Sequence, residues 1–152
     1  MIVNEFGGRF PDTREGVLKL KGIGAYTVAS FMALAFNKSE TVIDGNVMRI
    51  IARLYHLTAP LDEIADTIRQ KAALLTSKEN AADYASAIMD LGAVVCTPKN
   101  PQCLLCPWQE YCRSRTASDL EQIPVRRSLE KKEKQGIVLV TENGHGELFI
   151  RK

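Results

Sequence analysis

The sequence predicts a mainly α-helical domain that ends in a four-cysteine loop, followed by a linker and the start of a β-containing unit. Three observations carry this. Up to Val95, apolar residues recur at the 3.6-residue spacing of a helix face; all four cysteines then fall between Cys96 and Cys112; and beyond Gln135 the apolar pattern alternates with the period of a strand. The expected boundaries are 1–95 for the helical part, 96–113 for the cysteine loop, 114–135 for the linker and 136–152 for the β-containing start.

Taken in order, Gly7, Gly8 and Pro11 punctuate the beginning, and Asp12 or Thr13 can cap a short helix whose apolar side carries Val17, Leu18 and Leu20. Gly22-Ile23-Gly24 then forms a tight turn. From Ala25 to Ala35, Val28, Phe31, Met32 and Ala35 keep helical spacing, so the unit reads helix, glycine hairpin, helix. Asp44 stands at an N-cap position before the stripe Val47, Ile50, Ile51 and Leu54. Pro60 ends that helix. Residues 62–75 and 80–95 give two more, the last with Tyr84, Ile88, Leu91 and Val95 on one face. After the charged stretch around Ile123-Pro124-Val125, residues 137–141 and 148–151 read as strands joined by a glycine- and asparagine-rich turn at 142–146.

Composition narrows the function classes. With 45% hydrophobic and 25% charged residues the chain is ordinary globular material, and it has neither a membrane-length apolar run nor a signal-peptide pattern. A soluble protein of the cytoplasm is the expectation. The net charge of +2 is small, but Lys and Arg number 10 against 11 acids in residues 1–95 and 10 against 7 in residues 96–152. The C-terminal third therefore favours a polyanion, although a solvated linker accounts for that surplus about as well.

The cysteines follow the order Cys-x6-Cys-x2-Cys-x5-Cys: Cys96, Cys103, Cys106 and Cys112. Four thiolates in one compact loop, turned back by Pro98, Pro101 and Pro107, suit a single iron–sulfur cluster. Structural zinc and paired disulfides compete. Zinc sites usually draw their ligands from two close couples, and here only Cys103 and Cys106 form one; disulfides belong to secreted chains.

With these motifs in place the chain resembles the helix-hairpin-helix DNA glycosylases, the superfamily of endonuclease III and the MutY-type adenine glycosylases, over roughly residues 1–112. Leu20-Lys21-Gly22-Ile23-Gly24 is similar to the hairpin, Val42-Ile43-Asp44-Gly45-Asn46-Val47 to the catalytic segment, and Met89-Asp90-Leu91-Gly92-Ala93 to the lead into the cluster loop. The resemblance implies a 4Fe-4S cluster on the four cysteines. Bifunctional relatives carry a lysine two residues beyond the second hairpin glycine, where this chain has Tyr26. Covalent lyase chemistry would lack its nucleophile, and together with Asp44-Gly45-Asn46-Val47-Met48-Arg49 this implies a monofunctional glycosylase removing adenine mispaired with guanine or 8-oxoguanine from double-stranded DNA.

The roles implied are specific. Asp44 would support positive charge on the sugar, where otherwise it would only cap a helix; Tyr26 would approach the sugar and Asn46 would orient Asp44 or water, where otherwise each is plain structure. Gly22, Ile23, Gly24 and Lys99 would contact DNA phosphates, Lys99 being otherwise one more exposed lysine. Trp108 and Tyr111 are expected to cover the cluster, and His56 and His145 show no ligand spacing. The family's acid, a glutamate near the start of the catalytic domain, has no matching segment, since Glu5 and Glu15 lie outside that motif; the chain is expected to enter the domain partway and to be inactive alone. The terminal hairpin resembles the entry to a Nudix-like domain. Competing readings are a non-catalytic DNA-binding module and an endonuclease III-like enzyme of other base specificity.

Overall fold

A computed structural model of the chain describes residues 1–127 and 142–146. These contain six α-helices: α1 (Ile2–Phe6), α2 (Arg14–Leu18), α3 (Ala25–Phe36), α4 (Gly45–Tyr55), α5 (Leu61–Leu75) and α6 (Ala81–Asp90). No helix among the described residues is long and apolar enough to cross a membrane. The expected strands at 137–141 and 148–151 lie outside the described residues. The segment between them closes a turn through the Gly146 N–H and the Asn143 carbonyl, 3.1 Å apart.

The hairpin forms as its residues dictate. Thr13 caps α2 by accepting from the Gly16 N–H at 3.2 Å, and Gly22 sits at φ 81°, where a side chain would be strained. The turn lets Val17 of α2 pack on Val28 and Met32 of α3, with Leu20, Ile23 and Phe31 closing the cluster. At the other end of α3, Asn37 adopts φ 50°; its side chain donates to the Glu79 carbonyl at 3.0 Å and accepts from the Ala82 N–H at 3.0 Å. One residue thus ends α3 and satisfies an early amide of α6. The short helix α1, among the glycines expected only to punctuate the start, buries no residue.

The second cluster is larger. Val47, Ile50, Ile51 and Ala52 of α4 pack with Ile64, Ile68 and Ala72 of α5 and Ile88 of α6. Ile51 and Ile68 are fully buried, each contributing roughly 1.5–3 kcal/mol relative to exposure. Ile123 is buried in the same cluster, the Leu61 N–H donates to the Val125 carbonyl at 2.8 Å, and Arg127 pairs with Asp62 and Glu63. Residues 114–127, expected to begin a linker, therefore belong to the packed body. Their charges mask a single deeply buried isoleucine.

The last predicted helix does not run unbroken to Val95. At Leu91 it opens into a π turn, Leu91–Val95, in which the Cys96 N–H reaches the Leu91 carbonyl at 2.7 Å. Gly92, within this turn, meets α4 so closely that a Cβ there would lie 2.6 Å from the Asn46 Cβ and 3.2 Å from the Ile50 Cδ1. Gly92→Ala is expected to destabilise the fold by about 1–3 kcal/mol, and urea unfolding with an unchanged m-value would register it.

Candidate functional site

The π turn delivers Cys96 to a loop that folds back on it. The Gln102 N–H donates to the Val95 carbonyl at 2.9 Å, a single 3-10 turn carries Cys103 to Leu105, and the Cys106 N–H returns to the Cys103 carbonyl at 3.2 Å. Cys96, Cys103, Cys106 and Cys112 consequently line one cavity, beside Arg53 and Pro101, and none is in a disulfide. Burial pushes the Cys106 and Cys112 thiols up, opposed by the amides of Trp108 and Ser114 respectively. Bound iron would favour the thiolates instead, as any coordinated cation does. Four cysteine sulfurs that line one cavity are a donor set that an iron–sulfur cluster takes.

Two arginines that sequence patterning did not single out hold this loop to α4. Arg53 is 1% exposed. Its Nη1 donates to the Thr97 carbonyl at 2.6 Å, Nη2 to Pro98 at 2.8 Å and Nε to Ile123 at 3.0 Å, while Nη1 also lies 3.6 Å from the Cys96 Sγ. The Arg53 carbonyl in turn accepts from the Ser114 N–H at 3.2 Å and stands 3.6 Å from the Cys112 Sγ. One residue therefore touches both ends of the cysteine loop. Its signal in the sequence was a pair of arginines four apart on an otherwise apolar helix, with no acid beside them on that helix.

Arg49, one turn earlier, leads from the loop to Asp44. Nε donates to the Cys96 carbonyl at 2.8 Å; Nη2 donates to the Gly92 carbonyl at 2.7 Å and to Asn46 Oδ1 at 2.8 Å. With Oδ1 held by Arg49, Asn46 turns Nδ2 toward Asp44 Oδ2 at 3.3 Å, and Asp44 Oδ1 accepts from the Val47 N–H at 2.7 Å. Both carboxylate oxygens are fixed. Burial pulls the Arg49 guanidinium below its ordinary value, with Arg53 and Arg126 adding to the effect and Cys96 and Asp44 opposing it.

The other predicted residues are distributed around this axis. Tyr26, in the first turn of α3 just after Gly22, Ile23 and Gly24, is 47% exposed, and its hydroxyl lies 4.0 Å from the Met89 Sδ. It lines an open cavity of about 580 Å³ with Ile43 and Met48, the Arg14–Glu40 ion pair and Arg69; Asp44 does not line that cavity. Lys99 is exposed on the cysteine loop, its carbonyl accepting from Thr97 Oγ1 at 2.9 Å. One expectation changes: Trp108 packs on the core cluster, as Cys96 does, but Tyr111 is 75% exposed and covers little. His56 Nε2 lies 3.1 Å from Asp119.

Comparison with known proteins follows the same lines. A family model described as the iron-sulfur binding domain of endonuclease III matches residues 96–112. The adenine DNA glycosylase of Arabidopsis thaliana is 38% identical over 112 residues, which are 72% of this chain and 18% of that protein. The adenine DNA glycosylase of Homo sapiens is 35% identical over 133 residues, 84% of this chain and 24% of that protein. A solved structure of a thermostable thymine-DNA glycosylase superposes with a TM-score of 0.64 at 30% identity, covering 75% of this chain and 53% of that one. The chain thus spans less than two thirds of each of these proteins.

Proposed function

We propose, from the premise that this chain belongs to the helix-hairpin-helix DNA glycosylases of the endonuclease III superfamily and to their MutY-type adenine branch, that it forms the catalytic-segment half of a base-excision-repair enzyme. Its reaction is hydrolysis of the N-glycosidic bond of adenine mispaired with guanine or 8-oxoguanine. It works as a monomer on double-stranded DNA, in the cytoplasm or nucleoid. The four cysteines hold a 4Fe-4S cluster, which supplies iron–thiolate cross-links to the loop between Cys96 and Cys112.

The hydrogen-bonded setting of Asp44 carries this reading. Adenine inside a duplex is out of reach, so the nucleotide must leave the stack, at a cost of about a few kcal/mol. Departure of the base builds positive charge on the sugar, and a carboxylate already held by the Val47 N–H and Asn46 stabilises that charge without reorganising. Tyr26 approaches the same sugar from the hairpin side, and Gly22, Ile23, Gly24 and Lys99 hold phosphates. Leaving-group protonation needs a second carboxyl, as in two-carboxylate glycoside hydrolysis. No glutamate of this chain matches the family's acid motif, and the chain alone is expected to bind duplex and leave the base in place.

Excision assays test the reading on duplexes carrying A:8-oxoguanine, A:G and T:G, using the chain joined to the N-terminal segment of the human relative. Adenine is expected to be released from the first two and thymine retained in the third. Faster release of thymine would move the chain to the thymine branch, and a borohydride-trapped protein–DNA adduct would require an amine nucleophile that Tyr26 does not offer.

A further inference from the structure

A second cavity, of about 210 Å³, opens where α4 begins and is lined by Gly45, Arg49, Arg53, Pro98, Glu121 and Arg126, among others. It is large enough for a tetrahedral anion and several waters at ~30 Å³ each. We propose that it is a phosphodiester-binding site in which Arg126 and Arg49 hold a backbone phosphate of bound DNA. This rests on the glycosylase reading above and adds a contact outside the hairpin and outside Lys99.

Four observations converge on an anion. First, neighbouring arginines differ in their partners: Arg127 is paired with Asp62 and Glu63, whereas Arg126 is exposed and has no acceptor among the described residues. Second, Arg49 is 9% exposed and spends its bonds through Nε and Nη2, leaving Nη1 with no protein acceptor. That atom is not among the buried unpartnered ones, so its N–H edge meets solvent at the cavity, where an anion can reach it. Third, three guanidiniums line the space against one carboxylate, Glu121, and one oxygen of that carboxylate is taken by the Asn100 N–H at 2.7 Å. Fourth, Gly45 opens onto the cavity with nothing within 4 Å of where a Cβ would stand, so an anion can approach its backbone; the helix end itself is already capped by the Asp44 carboxylate.

Pro98, on the wall of this cavity, adjoins Lys99 at the tip of the cysteine loop. A phosphate held here would lie on the same side as the start of α4, where Asp44 stands. Arg53 adds positive potential but no free donor, because its nitrogens are committed to carbonyls.

The test is duplex binding by the iron-loaded chain, measured as log K against log salt concentration. Arg126→Gln is expected to weaken binding roughly fivefold to tenfold whatever the sequence, and to reduce the salt slope by about one. Arg126→Lys should keep the slope, and Arg127→Gln should change it far less. A second arm compares thermal stability in inorganic phosphate and in chloride at equal ionic strength. An Arg126→Gln slope equal to wild type overturns the assignment. Phosphate protection that depends on Arg126, with an unaltered slope, overturns it too, because the site then takes free phosphate. Wild-type chain that fails to bind duplex at low salt sinks the glycosylase reading along with it, so the two failures are distinguishable.

Discussion

Asp44→Asn, in the chain completed with a relative's N-terminal segment, is expected to lower adenine release by roughly 10²–10³-fold while duplex binding survives. The substitution separates two tasks that one carboxylate performs. As a cap, Asp44 accepts from the Val47 N–H, and asparagine caps a helix about as well, so the thermal midpoint should hardly move. As a charge, it has no substitute, because a neutral amide does nothing for a cationic sugar. Arg49 sharpens the contrast by fixing Asn46 with its Nδ2 toward Asp44; the new amide would present a donor to a donor there, at a cost confined to one long 3.3 Å bond. Single-turnover kinetics on A:8-oxoguanine duplex check it. Retention of more than a tenth of the wild-type rate would show that Asp44 is only a cap.

Arg53→Met should be the most damaging change away from the cavity that Tyr26 lines. The thioether keeps the packing volume, yet three carbonyls, those of Thr97, Pro98 and Ile123, lose their donor. The bond to Ile123 is buried and those to Thr97 and Pro98 are part-buried; a buried acceptor left unpaired costs about 1–3 kcal/mol and a part-exposed one less, so the total is roughly 2–4 kcal/mol, a large share of a domain's stability. Iron content should fall with stability, since Arg53 touches the backbone at both ends of the cysteine loop. Arg53→Lys should rescue little, because an ammonium cannot fork to three carbonyls in different directions. Full iron loading with a wild-type melt would refute the role.

Much of this was legible before any coordinates. The apolar stripes of α3, α4 and α5 have the period of a helix face packed on a core, and Asp44 and Thr13 cap where short acceptors cap. The cysteine loop was legible because chelation puts its requirement into spacing. Three features were not. The π turn carries Gly92 against Asn46 across helices, a contact with no local pattern. The burial of Arg49 and Arg53 was not legible because most of their partners are main-chain carbonyls, which look alike in every sequence. Ile123 was lost among charges because one buried side chain makes no period. The residue that sequence reading placed at the centre, Asp44, was right about its cap and silent about the hydrogen-bonded path from Asn46 through Arg49 to Cys96.

The π turn at Leu91–Val95 also fixes an angular phase. An α-helix advances about 100° per residue, and a π turn absorbs one residue more than an α turn without gaining a full step. Residues after Val95 therefore keep the phase that an α-helix one residue shorter would give them. An unbroken α-helix of the same length would instead carry Cys96 about 100° round from its place beside Arg53. The form of this turn, and not an exposed side chain such as Val94, sets where the first cysteine falls.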